Sequence, residues 1–174
     1  MKAIVVYDSR YGNTEKIALD IVKGLRQSQV EEATSQRVSE VDVSKLQDYD
    51  LIAVGGPTEF HRASAPMRDF LSKLKGIDLN GKYGFAFDTK LNSRWAGDAS
   101  NSIEHTLRSC GANILMPKSS AFVESPKQES KKQQNIPEKE TAKRSSVVLE
   151  EGMEEKFVEV GIELGHVLIQ PRTA

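Results

Sequence analysis

The residues best suited to chemistry stand near the start of the chain, where Ser9, Arg10, Tyr11, Gly12, Asn13 and Thr14 follow a short apolar run. Ser9 and Thr14 carry hydroxyl donors, Gly12 allows a tight turn of the backbone, and Arg10 can supply a cation. From Thr14 onward Ile17, Ala18, Ile21, Val22 and Leu25 recur at helical spacing, so the group sits where a helix opens and its first N–H groups lack intrahelical acceptors. Hydroxyls, a glycine and a helix N-terminus together suit an anion, phosphate above all. The same residues also suit a helix start that binds nothing, with Asn13 or Thr14 as the cap and Gly12 as the turn. The dinucleotide pattern G-x-G-x-x-G and the nucleoside-triphosphate pattern G-x-x-x-x-G-K-[ST] are both absent.

Two later segments carry further candidates. Pro57, Thr58, Glu59 and Phe60 follow an apolar strand, and residues 88–98 hold Thr89, Asn92, Trp95 and Gly97. Phe60 and Trp95 could stack on a flat ligand or simply anchor the fold. Lys90 and Arg94, with His61 and Arg62, could bring positive charge to a ligand, or extend into solvent. The three histidines, His61, His105 and His166, have no carboxylate or thiol neighbours at metal-binding spacing, so no metal site is predicted. Ser9 has no nucleophile elbow. Asp8 lacks the second acid a phospho-acceptor site needs, because Gly55, Gly56 and Pro57 stand where it would be.

The elements that must position these loops are legible from periodicity. Residues 3–7 and 51–54 are apolar runs rich in β-branched residues, which suits strands buried on both faces, and residues 83–87 give another strand. Residues 37–43 alternate apolar with polar and read as an edge strand. Helices are predicted after Thr14, after Pro66 and around Ile103 and Leu107, the last closing near Gly111. Residues 113–116 start a fifth strand, with residues 121–123 as its continuation or second half. A last helix spans Met153 to Val167, weakened by two glycines. Strands alternating with helices imply right-handed crossovers and a three-layer α/β/α sandwich. Ligands of such sheets bind beyond the carboxyl ends of the strands, where the three candidate loops lie.

The 174 residues fit one domain, 1–174, with a polar and mobile insertion at about 124–146. A formal charge of -1, from 24 basic and 25 acidic residues, gives no footprint for nucleic acid. The lone Cys110 cannot form an internal disulfide or a multi-thiolate cluster, so any electron transfer needs an organic cofactor. The N-terminal apolar run is too short for a signal peptide and no stretch is long enough for a membrane span, so a cytoplasmic protein is expected.

Residues 9–14 resemble the phosphate loop of flavodoxins, in which two hydroxyl positions flank one residue and an aromatic or hydroxyl residue, Gly, Asn and Thr follow. Residues 42–51 are similar to the flavodoxin connection into the third strand, and Gly55, Gly56, Pro57 and Thr58 to the start of its second flavin loop. Residues 88–97 stand in place of the third loop but lack the tyrosine–glycine start common among its relatives. The polar insertion is similar to that of long-chain flavodoxins, although it falls later. The resemblance implies a five-stranded parallel sheet in the order 2-1-3-4-5 and flavin mononucleotide (FMN) as cofactor. It implies that Ser9, Arg10, Tyr11, Gly12, Asn13 and Thr14 hold the phosphate. Pro57, Thr58, Glu59, Phe60, Thr89, Asn92, Trp95 and Gly97 would then surround the ring. The implied function is electron transfer between redox partner proteins. Two alternatives are an FMN-dependent NAD(P)H:quinone-type oxidoreductase, in which His61 or Arg62 steadies a substrate's negative charge, and an interaction module that no longer binds flavin.

Overall fold

The computed structural model describes residues 1–125 and 147–170. Its strands are β1 (Lys2–Tyr7), β2 (Glu32–Arg37), β3 (Leu51–Glu59), β4 (Arg62–Ala63), β5 (Tyr83–Leu91), β6 (Asn113–Ile114), β7 (Ser119–Glu124) and β8 (Val148–Leu149). Its helices are α1 (Asn13–Gln27), α2 (Ala65–Leu74), α3 (Ala99–Ser109) and α4 (Met153–Ile169). Five strands pair in parallel in the order β2-β1-β3-β5-β7, which is the expected 2-1-3-4-5 sheet.

Three short strands extend that sheet to eight. β4 pairs antiparallel with β3, and β8 pairs antiparallel with β7 at the outer edge. β6 and β7 both run parallel to β5, at its start and its end, so the fifth strand is one path interrupted at residues 115–118. Of the expected polar insertion, only Glu124 and Ser125 belong to the described residues.

Side chains alternate across the buried strands, and each sheet face meets its own pair of helices. Val5, Phe85 and Phe87 pack with Ile17, Ile21, Phe157 and Leu164 from α1 and α4. On the other face Ile4, Val54 and Ala86 pack with Met67, Phe70, Ile103 and Leu107 from α2 and α3. Each fully buried side chain of this kind is worth about 1.5–3 kcal/mol over an exposed one. This rigid sheet holds the loops at its carboxyl edge.

The second strand is not at residues 37–43 but at Glu32–Arg37, paired with β1. The alternation of Val38, Val41 and Val43 has another origin: all three pack against the core beside α2 from an irregular connection, which then enters a 3₁₀ turn at Val43–Asp48. The glycines of α4 also have a packing role. A Cβ on Gly161 would strike the Ile21 carbonyl, one on Gly165 the Ser28 hydroxyl, and one on Gly24 the Val158 carbonyl. The two helices thus approach backbone to backbone, and the packing offsets the low helix propensity of glycine.

Candidate functional site

The loop between β1 and α1 is turned by Gly12, which sits in the left-handed region at φ 87° and offers no side chain to cap the helix. Capping comes instead from Ser9, whose Oγ accepts the Glu15 N–H at 3.3 Å. The Ser9 carbonyl accepts from Arg37 Nη1 at 2.9 Å, and Arg37 Nη2 donates to Glu15 Oε2 at 3.0 Å. Tyr7 donates its hydroxyl to Glu15 Oε1 at 2.9 Å, and burial together with that carboxylate raises the phenol pKa, keeping it a donor. The loop is therefore braced from below while the first-turn N–H groups of α1 stay without intrahelical acceptors.

Beside this loop lies a cleft of about 180 Å³. It is lined by Ser9, Arg10, Tyr11, Asn13 and Thr14 of the first loop, by Pro57, Thr58 and Glu59 of β3 and Thr89 and Lys90 of β5, and by the apolar side chains of Leu91, Val123 and Val147. The Thr14 and Thr89 hydroxyls meet at 2.8 Å in its floor. Asn13 Nδ2 donates to the Val147 carbonyl at 2.8 Å, fastening the segment that leads into β8 against the cleft. Arg10 Nη1 lies 3.5 Å from Glu59 Oε1, an exposed pair that joins the first loop to the second.

The second loop is a hairpin. Glu59 pairs with Arg62 and Thr58 with Ala63, leaving Phe60 and His61 as its two-residue tip, both left-handed at φ 47° and 67°. Two-residue hairpin turns favour this handedness but normally use Asn or Gly, so Phe60 and His61 cost about 1 kcal/mol or more each. The tip rests on the third loop through a bridge between His61 and Gly97. Gly97 is itself at φ 78°, and a Cβ there would collide with the His61 backbone.

Beneath the walls Asp88 is completely buried in β5. Its Oδ2 accepts from Thr58 Oγ1 and from the Ser100 N–H, each at 3.1 Å, while Oδ1 has no hydrogen-bond donor among the described residues. Burial, reinforced by Asp98, raises the Asp88 pKa against the lowering effect of Ser120 and of the Ser100 N–H. Asp98 is also partly desolvated, but the Lys118 ammonium at 2.6 Å, Ser100 and Lys90 at 3.9 Å hold it well below the usual carboxylate range. The cations Lys90 and Lys118 are thus directed at Asp98.

A family model described as Flavodoxin matches residues 5–134. The chain belongs to the flavodoxin family. Members of that family bind FMN and transfer electrons. A flavodoxin from Clostridium saccharobutylicum is 33% identical over 51% of this chain and 56% of its own length. An NAD(P)H dehydrogenase (quinone) from Acidovorax ebreus is 32% identical over 66% of each. The matches to these curated relatives span between 52% and 66% of their lengths. A flavodoxin structure from the domain Archaea superposes with a TM-score of 0.73 at 23% identity, covering 98% of this chain and 100% of that one. Oxidised Flavodoxin 2 from Bacillus cereus gives 0.72 at 24% identity over 95% and 99%. At these identities the structures speak for the fold.

In this member of the flavodoxin family the sheet edge brings together most of the residues singled out in the sequence. Ser9, Arg10, Tyr11, Asn13, Thr14, Pro57, Thr58, Glu59 and Thr89 all line one cleft, and Gly12 turns the loop between β1 and α1 beside it. Phe60, Asn92, Trp95 and Gly97 lie outside that lining; Phe60 and Trp95 are 90% and 77% exposed, and Asn92 reaches Glu150 at 3.4 Å. Val123 and Val147 were not anticipated. They enter through strand pairing at the far edge and through the contact of Val147 with Asn13, which no local sequence pattern signals.

Proposed function

We propose that this cleft binds FMN and that the protein carries electrons between redox partner proteins in the cytoplasm, where the lone Cys110 stays reduced. What carries the reading is the make-up of one cleft: the hydroxyls of Ser9, Thr14, Thr58 and Thr89 and the start of α1 line it together with the apolar side chains of Leu91, Val123 and Val147. A ligand that combines a phosphate with a flat apolar ring fits that combination.

Ser9 accepts from Glu15, and its own hydrogen remains available for a phosphate oxygen. Thr14 can accept from Thr89 and donate to the phosphate in the same way. Gly12 sets the turn, Asn13 contributes its backbone N–H because its side chain holds Val147, and Arg10 and Tyr11 form the exposed rim. Pro57, Thr58, Glu59 and Thr89 flank the ring, while Phe60 and Trp95, with Asn92 and Gly97, close over it from the exposed loops. Bound FMN supplies the reversible uptake of electrons. The protein orients it, excludes water from part of it and leaves an edge open; no side chain need act as acid or base.

Adding FMN to the purified protein tests this reading: absorbance and flavin fluorescence should change with one site per chain. Unchanged spectra at micromolar FMN would overturn it. The relatives named NAD(P)H dehydrogenase (quinone) favour a second reading, a self-sufficient reductase. Steady-state turnover with a nicotinamide donor and a quinone supports the enzyme, and reduction only through a partner protein supports the carrier.

A further inference from the structure

Asp88 is unusual among the described residues because it is entirely buried, carries one oxygen without a donor, and shares Ser100 with a second acid: the Ser100 N–H donates to Asp88 Oδ2 and the Ser100 hydroxyl to Asp98 Oδ1. Two ionised carboxylates held by one residue offer four acceptor oxygens and no hydrogen, so they repel. One proton between them reverses the interaction. The acid that gains most from holding it is the one with less water and no cation of its own. Asp98 has Lys118 at 2.6 Å, Lys90 at 3.9 Å and the Ser100 hydroxyl, all of which favour its ionised form. Among the described residues Asp88 has only uncharged donors, the Thr58 hydroxyl of β3 and the Ser100 N–H of α3, with the uncharged Ser120 of β7 nearby. The titratable and charged groups facing it are therefore Asp98 directly, and Lys90 and Lys118 through Asp98.

We propose that Asp88 is a neutral carboxylic acid that donates its proton to Asp98, and that this shared proton locks both ring-side loops to the start of α3. Asp88 is then a positioning residue. Its Oδ2 receives the hydroxyl of Thr58, a wall of the cleft whose Oγ1 in turn accepts the Ala99 N–H at 2.9 Å. The residue after it, Thr89, meets Thr14 in the cleft floor. Ionising Asp88 would place a second negative charge beneath the loops and loosen them. The effect on flavin rests on the FMN reading; the state of the proton does not.

The test is infrared spectroscopy of the full chain in deuterated buffer at about pH 8, without flavin and again with FMN. Ordinary carboxyls, titrating near 4, are ionised there, as is Asp20, whose pKa burial and Glu154 push up to about 6. A protonated-carboxyl C=O band of one-group amplitude is expected in the wild type and in Asp20→Asn, and its loss in Asp88→Asn. In Asp98→Asn the band should remain but shift, because the proton then meets an amide oxygen. Absence of the band in the wild type, its survival in Asp88→Asn, or an unshifted band in Asp98→Asn would each overturn the proposal. Should Asp88→Asn fail to fold, the wild-type band still decides the proton's presence and Asp98→Asn its acceptor. A protein that bound no FMN would lose the functional reading alone, since the band is read without flavin.

Discussion

The hydroxyls of Thr14 and Thr89 meet 2.8 Å apart in the buried floor of the cleft, joining the first turn of α1 to the end of β5 across 75 residues of sequence. Either can donate to the other, so the free hydrogen can point at a ligand. Thr14→Val removes both the bond to Thr89 and the proposed phosphate donor while keeping the shape. The expected loss is about 1–3 kcal/mol of FMN affinity, about 5- to 150-fold in Kd by fluorescence titration. Thr89→Val should cost less, because it removes only the partner hydroxyl; equal losses would show that Thr14 makes no phosphate contact of its own.

Gly97→Ala should lower both stability and flavin affinity. The new Cβ meets the His61 backbone and the residue must keep φ 78°, so a cost of about 1–3 kcal/mol is expected in denaturant unfolding. Because His61 is the tip of the second loop, the FMN Kd should rise with it. A variant as stable as the wild type, with the same Kd, would mean that the two loops do not depend on their bridge.

The turn before α1 and the alternation of strands with helices were legible because both depend on local pattern, a glycine before a helical repeat and β-branched runs between helices, whereas the strand order came from the flavodoxin resemblance. The rest depended on partners distant in the chain. The hairpin at Phe60 and His61 carries none of the residues that announce such a turn, so only the pairing of Glu59 with Arg62 reveals it. Lys90, which could have carried free positive charge to a ligand or extended into solvent, is instead paired with Asp98, a counter-ion that no local pattern announces. Val38, Val41 and Val43 alternate like a strand although their periodicity reflects packing of a connection over the core. Gly161 and Gly165 read as helix weaknesses until α1 is laid against them.

Asp20 gives a pH dependence of stability. Its folded pKa is raised from 3.8 to about 6, by burial first and by Glu154 next, so its contribution is fully present below about 4 and is lost as the pH rises through about 6. Asp20→Asn should therefore gain on the wild type between those two values and keep the gain above them. Thermal melts across that range check it; a constant difference between the two proteins would contradict the assignment.

Gly161→Ala separates fold from site. The methyl group would land on the Ile21 carbonyl between α4 and α1, and overpacking of this kind costs about 1–3 kcal/mol. Unfolding should occur at lower denaturant, while the folded fraction binds FMN with unchanged Kd because the contact lies away from the cleft. A large change in Kd would show the helix pair to be coupled to the loops.

The central claim is that residues 9–14 hold the phosphate of FMN, and comparing FMN with riboflavin on the wild-type protein tests it most directly. The two ligands share the ring and differ by the phosphate alone. Two or more hydrogen bonds to a charged group should favour FMN by about 100-fold or more in Kd. Equal affinity for the two would contradict a phosphate site at Ser9, Gly12 and Thr14, even if the ring were bound.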